Sequence, residues 1–149
     1  MPLRVLLLTW DFPPSRGGIQ TWMHQIAAHL PDAHVRVLAP AVPGDRAFDD
    51  ASKLDIRRLP SARLGRLVWL TELTLRTLAT CILERPDLLL CGHVVAAPAA
   101  FIAHAFLRVP YAAFVYGFEI RRRTRRRAIA RLLHPARLVL ACSDFTKSL

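Results

Sequence analysis

Cysteine is scarce in this chain of 149 residues: Cys81, Cys91 and Cys142 are widely spaced and sit in apolar runs. An odd, scattered set excludes a disulfide framework and a zinc site, and it reads as reduced core thiols of a cytosolic protein. Internal repeats are absent, and the only low-complexity segment is one run of arginines. Polar, disorder-prone composition is missing too. A hydrophobic share of 53% and a mean hydropathy of +0.27 point to one domain whose sheet is buried on both faces. No secretory leader is recognisable, because the apolar run after Arg4 gives way at once to Trp10-Asp11-Phe12-Pro13-Pro14. The longest nearly uncharged stretch, residues 88–118, carries only Arg108 up to residue 118, but Pro98, Pro110, His93 and His104 divide it into strand, helix and strand.

Acid is what the end of the chain lacks. Residues 121–149 hold 9 Lys/Arg against 1 Asp/Glu, whereas residues 1–120 hold 12 against 10, so the net charge of +10 is mostly local. A local basic patch describes a surface partner more than a fold. Arg121, Arg122, Arg123, Arg125, Arg126, Arg127 and Arg131 crowd into one short segment. Such a density attracts anionic headgroups at about 1 kcal/mol per basic residue. Nucleic acid is the competing partner, but no stacking aromatics interleave the run and no helix-turn-helix or single-strand-binding signature accompanies it, which favours a membrane surface.

What is present is an alternation of strand-like and helix-like runs. Strands are expected at residues 3–9, 34–39, 55–59, 87–91, 111–116 and 137–141. Helices are expected at 17–30, 64–84, 94–107 and 124–133, with a polar loop around Pro43-Gly44-Asp45. In the helix at 64–84, Leu67, Leu70, Leu73, Leu78, Ile82 and Leu83 are the expected apolar face. Ser143 would cap a further helix that has only begun at Leu149, so the chain is expected to be a fragment or to be completed by something else. Six strands separated mainly by helices give an α/β, doubly wound parallel sheet of Rossmann-like kind.

In such sheets a ligand sits outside the carboxyl ends of the strands. That edge collects Trp10, Asp11, Gly17, Gly18 and Gln20 after the first strand, Gly92 and His93 after the fourth, and Tyr116, Gly117 and Glu119 after the fifth. Gly17 and Gly18 open a helix directly after a buried strand. Glycines admit close backbone approach and a helix start offers amides and a favourable dipole, so the pair suggests phosphate or nucleotide binding, although a plain turn uses the same residues. His93 either donates to a substrate hydroxyl or phosphate or caps the following helix. Glu119 orients an acceptor or pairs with the neighbouring arginines. Asp11 is catalytic or, before Phe-Pro-Pro, orders its loop by a hydrogen bond.

The ordered set Leu6-Leu7-Leu8-Thr9-Trp10-Asp11-Phe12-Pro13-Pro14, Gly17-Gly18-Ile19-Gln20, Gly92-His93, Tyr116-Gly117-Phe118-Glu119-Ile120 and Ala141-Cys142-Ser143-Asp144-Phe145-Thr146-Lys147 resembles the N-terminal domain of family 4 retaining glycosyltransferases of the GT-B fold. That group includes phosphatidylinositol mannosyltransferases. The resemblance covers the whole chain and implies a two-domain enzyme. This half, residues 1–149, would hold a lipid or glycan acceptor, and a C-terminal half absent from the chain would bind most of a GDP- or UDP-linked sugar.

On that resemblance, Gly17 and Gly18 face the donor diphosphate, Asp11, Gln20 and Glu119 meet the acceptor, and His93 and Tyr116 lie at the reaction centre. No metal and no cofactor beyond the nucleotide-sugar co-substrate are implied, which fits the absence of an Asp-x-Asp motif. The chain departs from the family where His-Gly-x-Glu often follows the fifth strand, since Tyr116 occupies the histidine position; a phenol donates a hydrogen bond but does not take the same charge near neutral pH. The implied whole is a cytoplasmic enzyme held at the inner face of the membrane by the arginines, with no nucleic acid expected, and this chain alone is expected not to turn over. A noncatalytic membrane- or partner-binding module on the same sheet is the alternative.

Overall fold

A computed structural model describes residues 1–117 and 123–143, the side chains of 123–125 apart. Six strands form one parallel sheet: β1 Leu3–Leu8, β2 Ala33–Pro40, β3 Asp55–Leu59, β4 Leu88–Cys91, β5 Tyr111–Val115 and β6 Leu138–Ala141, in the order β3-β2-β1-β4-β5-β6. The doubly wound sheet expected from the sequence is therefore observed. The order reverses beside β1, whose register pairs Val5 with Val35 on one side and with Leu88 on the other. Strand β1 is apolar at every buried position because both its faces are covered: Leu6 and Leu8 enter one core, Val5 and Leu7 the other.

One layer contains α1 (Gly18–His29), which buries Met23 and Ala27 one turn apart, and α2 (Asp45–Ala51), whose Phe48 packs on the same core. The other layer contains α3 (Arg66–Glu84), α4 (Ala97–Leu107) and α5 (Arg123–Leu133). The polar loop expected around Pro43-Gly44-Asp45 contains α2. Gly44 turns the chain into it at a φ of 82°, and Asp45 accepts a hydrogen bond from the Val42 amide to close the turn. Two short 3-10 turns, Pro60–Leu64 and Val94–Ala96, precede α3 and α4.

The apolar face of α3 differs from the one its leucines suggest. Trp69, Leu73, Thr77 and Cys81, at four-residue spacing, are the buried stripe, with Leu70 and Leu78 partly packed beside it. Leu67, Ile82 and Leu83 face away and are exposed. Leucines surround this helix, so their count does not choose a face. The small Thr77 and Cys81 let α3 lie close against α4, which offers Ala99, Ala100 and Ala103 to the same core. The hydroxyl of Thr77 and the indole N–H of Trp69, on the buried stripe of α3, have no hydrogen-bond partner among the described residues.

Charge is tied down at the amino edge of the sheet. Arg4 pairs with Asp87, and Arg36 joins Asp55 to Glu84. A cavity of about 580 Å³ opens among these residues, His34 and Lys53, but its arginines are already neutralised and it lies opposite the edge where a doubly wound sheet binds ligands.

Candidate active site

The carboxyl end of β1 is built around Thr9, a fully buried residue. Its hydroxyl donates to the Asp11 carbonyl at 2.9 Å and accepts from the Asp11 amide at 3.1 Å, folding the chain back by two residues. The Asp11 carboxylate then accepts a hydrogen bond from Gln20 Nε2 at 3.0 Å, joining the loop to the first turn of α1. Loop ordering, one of the two roles read for Asp11, is thus present in the geometry.

A Cβ on Gly17 would overlap Gln20 Oε1, so a side chain there would push the Gln20 amide out of its present position. A Cβ on Gly18 would meet nothing within 4 Å, so the ground above the helix start is open. No side chain caps α1, which leaves the helix start without a side-chain acceptor for its first amides.

A second clamp holds the Phe-Pro-Pro segment. Arg58 on β3, only 11% exposed, grips Asp49 of α2 through Nη2 at 2.7 Å and donates to the Pro13 carbonyl at 2.6 Å and the Pro40 carbonyl at 3.2 Å. Its guanidinium carbon lies 5.6 Å from the centre of the Phe12 ring. The Pro13–Pro14 peptide bond in this segment is cis. Neither Thr9 nor Arg58 stands out in the sequence. Thr9 lies inside an apolar run, and the partners of Arg58 come from three separate elements.

The ends of β4 and β5 meet the same edge. A Cβ on Gly92 would overlap Met23 Sδ and press on Thr9, so only glycine fits between α1 and β1 there. Tyr116, half-buried, donates from its phenol to the Gly92 carbonyl at 2.9 Å. His93 is 7% exposed, and its Nδ1 accepts the Val95 amide at 3.1 Å, capping the 3-10 turn and placing the proton of the neutral ring on Nε2. The His93 and Tyr116 rings lie 6.0 Å apart. Asp11 is close enough to His93 for attraction, yet burial outweighs it and raises the Asp11 carboxyl above its ordinary range. Trp10 stands edge-on against Trp69, with ring centres 4.7 Å apart.

The structure therefore gathers Asp11, Gly17, Gly18, Gln20, His93 and Tyr116 at one edge. It does not bring the described arginines there: Arg126, Arg127 and Arg131 are exposed along α5 in the helix layer. Glu119, Arg121 and Arg122 lie outside the described residues, as do the side chains of Arg123 and Arg125 and the helix expected after Ser143. Among the described residues no group of three or more His, Cys, Asp or Glu is placed to hold a metal ion, and no helix is long and apolar enough to cross a membrane.

The sequence matches a known family model, Glycosyltransferase Family 4, over residues 16–149. The chain belongs to glycosyltransferase family 4. A 53-residue segment, 34% of this chain and 14% of the relative, is 45% identical to the GDP-mannose-dependent alpha-(1-6)-phosphatidylinositol monomannoside mannosyltransferase of Mycobacterium tuberculosis. Among solved structures, Anabaena HepE in complex with UDP-glucose is similar over 98% of this chain and 39% of its own, with a TM-score of 0.70 at 18% identity. MurG of Acinetobacter baumannii is similar over 97% of this chain and 42% of its own, at a TM-score of 0.62 and 15% identity. UDP-GlcNAc 2-epimerase of Neisseria meningitidis, bound to UDP-GlcNAc, has the same TM-score of 0.62 at 16% identity. A protein held in complex with UDP-glucose and an epimerase thus share this architecture, so these likenesses show the GT-B type of fold and not the reaction. The chain spans about two fifths of the length of the solved structures it matches.

Proposed function

We propose that this family 4 glycosyltransferase chain is the acceptor-side half of a retaining enzyme. That enzyme moves a sugar from a GDP- or UDP-linked donor to a lipid or glycan acceptor, and this half is inactive without a donor-binding half. One observation carries the reading. The uncapped start of α1, with open ground over Gly18, lies at the same sheet edge as the linked residues Asp11 and Gln20 and the buried His93. In this reading the backbone at Gly17 and Gly18 stabilises charge developing on the leaving diphosphate, worth about 3 kcal/mol per well-placed donor. Asp11 and Gln20 orient an acceptor hydroxyl, and Glu119 is assigned to the same acceptor. His93 and Tyr116 sit against the transferred sugar, with His93 Nε2–H as a donor and the Tyr116 phenol holding Gly92 in place. No metal or further cofactor takes part.

The mannosyltransferase relative, named for a phosphatidylinositol mannoside substrate, supports a lipid-linked acceptor. The exposed arginines of α5 support peripheral attachment at the cytoplasmic face of an anionic membrane. The test compares the full-length polypeptide with residues 1–149, using radiolabelled GDP-mannose and UDP-glucose with a lipid extract. Transfer by the longer protein alone, abolished by Asp11→Ala, is the expected result. A full-length protein that binds vesicles but transfers nothing from these donors would replace the enzyme reading by that of a binding module.

A further inference from the structure

The loop after β1 has little with which to hold its own shape. Pro13 and Pro14 have no amide to donate, and among the described residues the main chain of residues 10–14 makes no hydrogen bond to other main chain. Side chains from outside the loop hold it instead, at two points. At its amino end the Thr9 hydroxyl bonds both the amide and the carbonyl of Asp11. At its carboxyl end Arg58 donates to the Pro13 carbonyl at 2.6 Å.

Arg58 reaches this point from β3, the outermost strand on that side of the sheet. It lies two residues beyond Ile56 and shares its face, so the side chain belongs to the layer of α1 and α2. On its way it passes the end of β2 and donates to the Pro40 carbonyl. The Phe12 ring, 1% exposed, lies beside the guanidinium and is closed in by His24 of α1 and Phe48 of α2, with ring centres 6.0 and 6.4 Å away. Phe12 and Pro13 are thereby fixed, and Asp11 is caught between this anchor and Thr9. The Asp11 carboxylate spends Oδ1 on Gln20, while its other oxygen accepts no hydrogen bond among the described residues.

Filling space does not call for an arginine here. An apolar pair of similar volume would replace Arg58 and Asp49 at little or no loss of stability. What the guanidinium adds is a planar fork. It holds Asp49 through Nε and Nη2, gives Nη1 to Pro40 and still reaches Pro13 through Nη2.

We propose that Arg58 is a positioning residue for sugar transfer: by fixing Phe12 and Pro13 it holds the Asp11 carboxylate, linked to Gln20, in the pose that orients the acceptor hydroxyl. Arg58 itself touches no substrate. The inference rests on the acceptor role proposed for Asp11 and extends it to a residue two strands away.

The experiment measures transfer by the full-length protein from radiolabelled GDP-mannose and UDP-glucose to a lipid extract, and release of free sugar from the donor when the extract is left out. Arg58→Lys keeps a positive charge opposite Asp49 but lacks the fork that reaches both carbonyls, so it is expected to melt close to the parent. Its transfer is expected to fall about tenfold or more, because a small misplacement of an orienting group is costly. Release of free sugar should change far less, since water needs no orientation by Asp11. In an Asp11→Asn background the same substitution is expected to lower transfer about twofold or less, the group it positions being already lost. Asp49→Asn is the comparison for stability: it weakens the ion pair and leaves the bond to Pro13, so it should melt lower while transfer per folded molecule is kept.

Transfer and sugar release that decline together, in step with melting temperature across Arg58→Lys and Asp49→Asn, would make Arg58 a structural residue only and overturn the inference. An undiminished loss in the Asp11→Asn background would overturn it as well. Transfer that Asp11→Asn lowers and Arg58→Lys spares overturns this inference alone and leaves the proposed function standing. A parent that transfers from neither donor overturns both.

Discussion

Asp11 is held half out of water between the Thr9 hydroxyl, the Gln20 amide and the field of His93, and burial has the largest effect on its carboxyl, raising it above the ordinary value of 3.8. Above the folded carboxyl's raised range, the native state carries a buried charge that the unfolded chain keeps solvated, so the stability cost is present in full. As pH falls from that range toward the ordinary carboxyl value, the folded state takes up the proton first and the cost disappears. Asn at this position retains the acceptor oxygen for Gln20 Nε2 and never ionises. Asp11→Asn is therefore expected to be more stable than the parent in urea at pH 7, with the difference closing in acid, while transfer falls. Equal stability at pH 7 and in acid would show that Asp11 is solvated in the native state and would remove it from the site. A gain in stability with a loss of activity is the usual signature of a strained functional group.

At the scale of elements, Arg58 links the core to the ligand edge, binding Asp49 of α2, the end of β2 and the Phe12-Pro13 segment from its place on β3. Arg58→Met keeps much of the side-chain volume but strands Asp49 and two carbonyl groups. A loss of about 2–4 kcal/mol in equilibrium unfolding is expected from the orphaned carboxylate. Asp49→Asn in the Arg58→Met background should recover part of it; no recovery would mean that the pair is solvent-screened.

This clamp also marks where the sequence stops being legible. The strands, their parallel arrangement and the edge where Asp11, Gly17, Gly18, Gln20, His93 and Tyr116 gather could be read from apolar runs and the polar residues that follow them, because in a doubly wound sheet position along the chain fixes position on the edge. Helix α2 was hidden because its residues Asp45–Ala51 are polar apart from Phe48 and two alanines. The buried face of α3 was hidden because leucines surround that helix, and the choice between faces depends on how closely Thr77 and Cys81 admit α4, a tertiary fact. Whether His93 caps the following turn or donates to a ligand was left open in the sequence; the geometry shows the cap directly, with Nδ1 accepting the Val95 amide.

At the scale of the whole molecule, the membrane attachment proposed above is tested by ionic strength. Exposed arginines on α5 would act on an anionic surface through a field that decays over about 10 Å at 0.1 M salt and about 3 Å at 1 M. Vesicle binding by the full-length protein is therefore expected to fall as salt rises, and Arg126→Gln/Arg127→Gln/Arg131→Gln to flatten that dependence. Binding that salt does not weaken would remove these arginines from the attachment. The same titration with a single-stranded oligonucleotide tests the competing partner, for which the steep linear loss expected of phosphate contacts would have to appear at a comparable affinity.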